Sequence, residues 1–562
     1  MSTLALHRPA ALAADQRPAR ALAWLAAALL LVFVAWPLAS ILLKAVDGPG
    51  GLGQAAALLA EPRLVDATLN SLGLALATTA LVLPPALLYA FALTRSRVRA
   101  RPLLRTLALA PLLAPSLLPA ISLVYLFGNQ GLLRSWLGGA SIYGPLGIVL
   151  GEAFYTFPHA LLILLTALGV ADARLYEAAE TLGAGKLRRF LTVTLPHIRY
   201  GLASAAMVVF TLAVTDFGVP KVIGGHTNVL ALEAYKQVIG QQQFGRGAVV
   251  GLLLLLPALL SFVAERRLAR GRGAALSGRS VAYAPRRNPL RDGLLGLGCG
   301  AIALALLALL GTAVAASFME LWPYRLGFTL AHYDFDNLDG GGWLAFGNSL
   351  KLAALTALAG SAMVFGTAYL VEKTPAPRLA AHCIRALALL PMAVPGLVLG
   401  LGYIFCFNAP GNPLHGLYGT LAILVASTVA HFYTTAHLTA TTALRQLDGE
   451  IEAVAASLRR PWWTTFRRVT LPICLPALLD IARLLFVSAL TTVSCVIFLY
   501  TPDTVLASVA VLNMDDAGDT AAAAAMATLI VASALAATLL MNLAGWWGNK
   551  RLQKWKNVRS KA

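Results

Sequence analysis

Two polar segments about 276 residues apart carry the same residue pattern, and each lies between long apolar stretches. Alanines favour a helix with a small face that another protein can approach, Gly permits a sharp turn, and Pro begins the next helix. This chemistry is that of docking to a partner, so we predict a docking role for both segments and no catalytic residues in the chain. The docking positions are Glu177, Ala178, Ala179, Gly183, Leu195 and Pro196 in the first copy, and Glu452, Ala453, Ala455, Leu458, Leu471 and Pro472 in the second.

A second group of candidates consists of polar side chains within or beside the apolar stretches. A polar side chain there is costly unless it has a hydrogen-bond partner or faces water. An acidic residue at the centre of a bilayer costs about 2.5 to 3.5 kcal/mol, so Asp216 should face protein or water. Asp216 either pairs with an ammonium group of a substrate or ends a helix and pairs with Lys221. The His and Tyr residues either line a path or make hydrogen bonds between helices. The candidate path residues are Asp216, Tyr155, His159, His431 and Tyr433, with Glu152 and His437 nearby.

Metal and nucleotide chemistry have no signature in this sequence. The five cysteines are scattered, without metal-ligand spacing, and we interpret them as packing residues. The stretch from Gly183 to Lys186 lacks the upstream glycine and the following Ser or Thr of a phosphate-binding loop. We therefore predict no metal site and no cofactor in this chain.

Composition places the chain in a lipid bilayer. Hydrophobic residues make up 58%, charged residues 12%, and the mean hydropathy is +0.74. Such values exclude a soluble globular domain of this length. The net charge of +19 is spread over short clusters between apolar segments, which is typical of basic loops beside membrane helices and not of a nucleic-acid-binding surface.

Runs of about 20 apolar residues predict an all-α polytopic membrane protein with about 12 transmembrane helices. Pro115, Pro119 and Pro395 interrupt two of these runs. The runs lie near residues 21–43, 68–93, 103–126, 144–169, 197–219 and 247–264, and near 293–319, 347–371, 384–407, 417–441, 473–499 and 521–546.

The distribution of positive charge predicts the orientation, because Lys and Arg in short loops remain cytoplasmic. Basic clusters surround Arg8 to Arg20, Arg95 to Arg105 and Lys186 to Arg189, and they recur in the stretch 266–292 and in the tail from Lys550. Both termini and the middle of the chain are therefore predicted to be cytoplasmic. The alternate loops contain acidic residues, among them Asp334, Asp336, Asp339 and Asp503.

The two halves repeat one another at a spacing of about 275 to 280 residues. Asn70-Ser71 matches Asn348-Ser349, and Pro115 matches Pro395. We predict two homologous six-helix halves at 1–265 and 293–562, joined by a basic cytoplasmic linker at 266–292. A parallel repeat of this kind favours a translocation path between the halves.

The repeated segments resemble the EAA loop of importer permeases of the ATP-binding-cassette superfamily, in which E-A-A is followed by G and later by L-P. The first copy, within 171–196, matches this pattern closely. The second, within 446–472, departs from it, since Ala453 stands where the first copy has Glu177, Glu452 comes one residue early, and Arg459 replaces Gly183.

This resemblance implies several partners and a location. Each loop would be a coupling helix that fits a groove on an ATPase subunit, so two copies of that subunit are expected. A periplasmic substrate-binding protein would meet the extracytoplasmic segments 221–246 and 500–519. The chain would be a multi-pass protein of the bacterial inner membrane, with no nucleic acid among its partners. An ion-driven secondary transporter is the main rival class, but it gives no reason for duplicated docking loops.

Three further segments resemble those of fused permeases assigned to 2-aminoethylphosphonate uptake. They are Asp216–Gly225, Tyr235–Gln242 and Ala507–Asp519. The resemblance implies phosphonate as the substrate, and ferric iron is the alternative within the same class.

Overall fold

The computed structural model describes residues 10–47, 51–170, 172–270, 283–285, 287–336 and 340–552. Several predicted charges lie outside these residues. They are Arg8, Asp339, the linker arginines Arg272, Arg279 and Arg286, and the basic tail beyond Leu552.

The chain is helical almost throughout, as its long apolar runs predict. The helices up to residue 270 are α1 Ala10–Leu30, α2 Trp36–Val46, α3 Gly51–Leu59, α4 Pro62–Arg95, α5 Arg101–Leu109, α6 Leu117–Phe127, α7 Pro145–Gly169, α8 Ala173–Thr181, α9 Lys186–Arg189, α10 Leu195–Val214, α11 Gly218–Ile223, α12 Leu230–Tyr235 and α13 Phe244–Arg270.

The described part of the second half follows the same plan and also contains one short antiparallel hairpin. Its helices are α14 Pro289–Ser317, α15 Gly342–Lys373, α16 Arg378–Leu389, α17 Gly396–Phe407, α18 Leu421–Arg445, α19 Glu450–Ser457, α20 Trp462–Thr465, α21 Leu471–Ile473, α22 Leu475–Thr491, α23 Ala507–Ala517 and α24 Thr520–Leu552. The hairpin pairs β1 Met319–Leu321 with β2 Arg325–Phe328.

Within the described residues, nine helical runs are long and apolar enough to cross a membrane, and three bent helix pairs raise the number to twelve if each pair is one span. This agrees with the predicted twelve. Two bends, of 102° and 116°, fall at Pro115 and Pro395. The residues before these prolines, Ala114 and Val394, are extended, because a proline ring disfavours the helical conformation of its predecessor.

The third bend, of 75°, was not predicted. It falls at Cys474, between α21 and α22. The predicted span 473–499 is also too long, since α22 ends at Thr491. In the first half the corresponding run is unbroken from Lys186 to Val214, so the predicted start at residue 197 is too late.

The chain divides into two compact units whose boundaries differ from those of the sequence repeat. One unit comprises the described residues of Met1–Ile41, Leu344–Leu506 and Ala532–Ala562, and in it α1 packs on α16 and α18 on α22. The other comprises Leu42–Trp343 and Ala507–Val531, and in it α4, α7 and α10 pack together while α14 packs on α4, α5 and α6. The first helix of each sequence half thus packs with helices of the other half.

A close backbone contact holds the first span in its unit. The Tyr403 hydroxyl donates to Phe33 O at 2.7 Å, and the Phe33 and Phe407 rings stack at 5.9 Å. A Cβ atom added at Gly402 would lie 2.6 Å from Pro37 O, so only glycine fits there.

This contact predicts a difference between two Gly→Ala substitutions. Gly402→Ala should destabilise the protein by about 1 to 3 kcal/mol, because the backbone of the first span must move away. Gly366→Ala, on α15 and with no atom within 4 Å of its added Cβ, should be neutral or stabilising by up to about 1 kcal/mol. Thermal unfolding of the purified protein in nanodiscs measures both, and equal effects would show that the Gly402 contact is unimportant.

Candidate functional site

The first docking segment is a short helix closed by a left-handed glycine. Asp172 begins α8 by accepting a hydrogen bond from Arg174 N at 3.1 Å. After α8, Leu182 N donates to Ala178 O and Ala184 N donates to Ala179 O, at 3.1 and 2.9 Å. Gly183 lies between them with φ +72°, a conformation in which glycine has no Cβ to clash.

The second docking segment has the same turn with different residues. Leu458 N donates to Val454 O and Arg460 N donates to Ala455 O, at 3.0 and 2.9 Å. Arg459 has φ +52° and occupies the position of Gly183. A non-glycine residue in this conformation costs about 1 to 2 kcal/mol, so the second copy keeps the turn despite its sequence.

Both segments pass through the same elements up to the Leu-Pro pair, after which the second bends at Cys474 and the first continues straight into its span. A short helix and a π-helical turn follow each left-handed residue, and the Leu195-Pro196 and Leu471-Pro472 pairs then begin α10 and α21. Proline fits there because the first turn of a helix does not use its backbone N–H donors. The shared backbone confirms that the two segments are structural repeats.

Exposed apolar side chains occupy matching positions on the two segments. Leu182 is 85% exposed and Leu458 67%, and Leu187 (72%) matches Trp463 (48%). Glu177, Ala178 and Ala453 are exposed as well. Large apolar groups without cover on a polar loop indicate a protein-binding surface. We call Leu182 with Leu187 the first docking face and Leu458 with Trp463 the second docking face.

A buried arginine ties the first docking segment to α4. Arg95 Nη2 donates to Leu168 O at 2.7 Å, and its guanidinium lies 5.0 Å from the ring centre of Tyr176 and 4.5 Å from that of Tyr283. The Tyr176 hydroxyl donates to Thr194 at 3.0 Å. The base of α8 is therefore fixed to the end of a long membrane helix by cation–π and hydrogen-bond contacts.

A lysine makes the equivalent connection in the second half. Lys373, at the end of α15, forms an ion pair with Glu452 at 3.2 Å and donates to Leu447 O at 3.2 Å. Glu452 thus stands at the position of Tyr176 and is engaged within the chain. In the sequence Arg95 stands out only as part of a basic cluster, although its 278-residue spacing to Lys373 equals that from Asn70 to Asn348.

The structure places the predicted path residues of the first half on neighbouring elements of one unit. Glu152 is buried on α7 and accepts a hydrogen bond from Thr78 at 2.7 Å, while Tyr155 and His159 are half-buried on the same helix. Asp216 lies beyond the end of α10, within electrostatic range of Glu152 and Tyr155.

Asp216 acts as a helix cap, which was the simpler of the two expectations. Its Oδ2 accepts from Val219 N at 3.0 Å. The expected pairing with Lys221 is wrong, because Lys221 forms an ion pair with Asp516 at 3.0 Å, which leaves the Asp216 carboxylate to cap α11.

The two candidate path residues of the second half differ in whether their polar atoms are already hydrogen-bonded. The Tyr433 hydroxyl forms a hydrogen bond with Thr367 in the core of its unit, which is a packing role. His431 instead has a buried Nδ1 without a hydrogen-bond partner among the described residues. Since α7 and α18 match residue for residue at a spacing of 276, His431 is the counterpart of Tyr155.

Within the described ranges, no group of three His, Cys, Asp or Glu side chains is arranged to hold a metal ion. Asn70 and Asn348, which match in the sequence repeat, make the same kind of contact in the two halves. Each donates its amide to a loop carbonyl, Asn70 to Asn228 O at 3.1 Å and Asn348 to Val505 O at 3.2 Å.

A polytopic membrane protein with two matched docking segments belongs to the class of transport permeases. The family model described as "Binding-protein-dependent transport system inner membrane component" matches residues 86–273 and 365–547, and each match contains one docking segment. The chain therefore belongs to this family, with its domain present twice.

Similar proteins are permeases of the same class. The chain is 29% identical over 433 residues to the putative ferric transport system permease protein FbpB 1 of Haemophilus influenzae, an alignment that covers 74% of this chain and 67% of the relative. It is 27% identical over 473 residues to the ferric transport system permease protein FbpB of Actinobacillus pleuropneumoniae, covering 81% and 67%. A probable ABC transporter permease, y4fN of Sinorhizobium fredii, is 24% identical over 538 residues, covering 91% and 93%.

The two left-handed turns predict opposite effects of exchanging their residues. Gly183→Arg should cost about 1 to 2 kcal/mol in the first turn and displace the first docking face, while Arg459→Gly should relieve a similar strain. The assembled transporter should therefore lose more substrate-stimulated ATP hydrolysis with Gly183→Arg than with Arg459→Gly. Equal losses would contradict the expected difference in strain between the two turns.

The Lys373 connection predicts a loss of coupling that a neutral change elsewhere on the helix does not cause. Lys373→Met leaves Glu452 without its cation, which should loosen α19 by about 1.5 to 3 kcal/mol and lower substrate-stimulated ATP hydrolysis. Lys351→Met, at an exposed position of the same helix, is the matched control. Unchanged stimulation in Lys373→Met would exclude a role for this ion pair in coupling.

Proposed function

We propose that this chain forms the complete transmembrane path of an ATP-driven importer, with one ATPase subunit seated on each docking segment. The observation that carries this proposal is the repeat of one docking backbone, with exposed apolar residues at the same positions, in both halves. Two such surfaces in one chain fit two copies of an ATPase subunit, which hold the ATP and Mg²⁺. The orientation that goes with this has both termini in the cytoplasm of a bacterial inner membrane.

The docking segments are built to pass movement into the membrane. From Lys186 to Val214 the first segment continues into its span as one unbroken helical run, so a displacement of the docking face reaches the helices packed around α10. Arg95 and Lys373 add a second link, from each docking helix to α4 or α15. Approach of the two ATPase subunits would then favour one arrangement of the spans, and nucleotide release the other.

For the cargo, we favour ferric iron delivered by a periplasmic binding protein. Support comes from the two ferric permeases of Haemophilus and Actinobacillus, whose similarity extends over most of this chain. The 2-aminoethylphosphonate expectation rests only on short resembling segments and has no support from the relatives named above, so it is the weaker candidate.

Uptake by whole cells tests this proposal. Cells that lack the gene should lose uptake of radiolabelled ferric iron and keep uptake of labelled 2-aminoethylphosphonate, and the wild-type gene should restore the iron signal. Loss of phosphonate uptake alone would replace the proposed cargo while keeping the importer. Normal uptake of iron and phosphonate would remove the support for either cargo.

A further inference from the structure

A polar cavity lies at the end of α4 that is opposite to its arginine-rich end. It has a volume of about 500 Å³, and its lining consists of Arg63, Asp66, Asn70, His226, Asn228 and Lys236. All of these residues belong to one compact unit. On the charge-based orientation this end of α4 faces the extracytoplasmic side. Neither the docking segments nor the path residues contribute to the cavity.

A buried carboxylate fixes the floor of this cavity. Glu233 accepts hydrogen bonds from Arg63 Nε, Asn228 Nδ2 and Gln237 Nε2, at 3.2, 2.6 and 2.7 Å. Burial would raise the pKa of Glu233, but these hydrogen bonds and the charges of Arg63 and Lys236 outweigh burial and hold the pKa below its ordinary value. Glu233 is thus ionised and occupied by three donors, and it holds Arg63 and Asn228 in place.

Lys236 is the second cation in the cavity lining, after Arg63, and its hydrogen-bond partner Asn228 is neutral. Its ammonium donates to Asn228 Oδ1 at 3.1 Å, while a lysine ammonium carries three donors. Burial lowers the pKa of Lys236, the Glu233 charge opposes this, and Arg63 and Lys221 lower it further. An anion in the cavity would relieve the repulsion between these cations, because Glu233 is already shared with Arg63.

The second half of the chain shows that these charges are not needed for the contact between the matched asparagine and its loop. Counting from the matched Asn70 and Asn348 contacts, Gly341 stands for Arg63 and Leu344 for Asp66. Ala510 stands for Glu233 and Asn513 for Lys236 in the same way. Arg63 is 55% exposed and Glu233 only 3%, and the second half makes the matching Asn348 contact without either charge. The charged network therefore serves a purpose that is specific to the first half.

We propose that this cavity binds a small oxyanion, with Arg63 and Lys236 as its donors. The volume accommodates a phosphate-sized or carboxylate-sized group together with water, and charge-assisted hydrogen bonds to a guanidinium and an ammonium are the usual way to hold such a group. Asp66 at the exposed rim opposes the anion and tunes its affinity. This site is independent of the cargo, so failure of the iron proposal would leave it standing.

Titration of the assembled transporter in nanodiscs with inorganic phosphate, followed by phosphorus NMR, tests the site without any transport. The wild-type protein should bind phosphate saturably and more weakly as salt rises, since both donors are charged. Lys236→Met should weaken binding at least tenfold and Lys236→Arg should retain it. Asn513→Met, the matching position in the second half, should leave binding unchanged.

The rim residue supplies a test of opposite sign. Asp66→Asn removes a negative charge from an exposed position and should raise phosphate affinity about threefold, without disturbing the Glu233 network. This result stands even if Lys236→Met does not assemble. Absence of saturable phosphate binding, or an affinity that is the same in Asp66→Asn and wild type, would overturn the proposal. A third result would also overturn it: the wild-type protein binds no phosphate, and Lys236→Met loses binding of the substrate-binding protein. The occupant of the cavity would then be a side chain of that protein.

Discussion

The constraint on which the rest of this structure depends is that a backbone within a bilayer must satisfy its own hydrogen bonds. It explains why long apolar runs become helices and why helix breaks are confined to a few places. Two of the breaks in the described spans fall at Pro115 and Pro395, where a missing donor and an extended predecessor already prevent a continuous helix. The docking segments and the polar cavity consequently lie at helix ends and in the loops that join the helices.

The docking segments show how one backbone design survives sequence change after duplication. Gly183 and Arg459 adopt the same left-handed conformation, and Leu182 and Leu458 are exposed at the same position. The residues that anchor the segments have changed more than the turn itself, since a cation–π contact to Tyr176 in one half is an ion pair to Glu452 in the other. The backbone of the proposed docking surface is therefore the same in both halves. The contacts that anchor this surface to the rest of the chain differ between the halves.

Much of the fold was predictable because apolar length, proline positions and the internal repeat act locally along the chain. The twelve spans, the Pro115 and Pro395 breaks and the equivalence of the docking segments all follow from such signals. Contacts between distant parts were not predictable. From the sequence, Lys221 could pair with the nearby Asp216 or with the distant Asp516. The packing of α11 against α23 brings Lys221 to Asp516. The exchange of first helices between the sequence halves and the pairing of Arg95 with Tyr176 likewise depend on tertiary packing.

Site-directed cross-linking to the ATPase subunit tests the central claim most directly. Leu182→Cys and Leu458→Cys would each be introduced with native Cys383, the one cysteine that is not buried, replaced by Ser. The account predicts that both cysteines cross-link to an ATPase subunit, whereas Leu358→Cys, exposed on the surface of α15, does not. Cross-linking at neither docking face, or at Leu458→Cys no more than at Leu358→Cys, would contradict the claim that this chain seats two ATPase subunits.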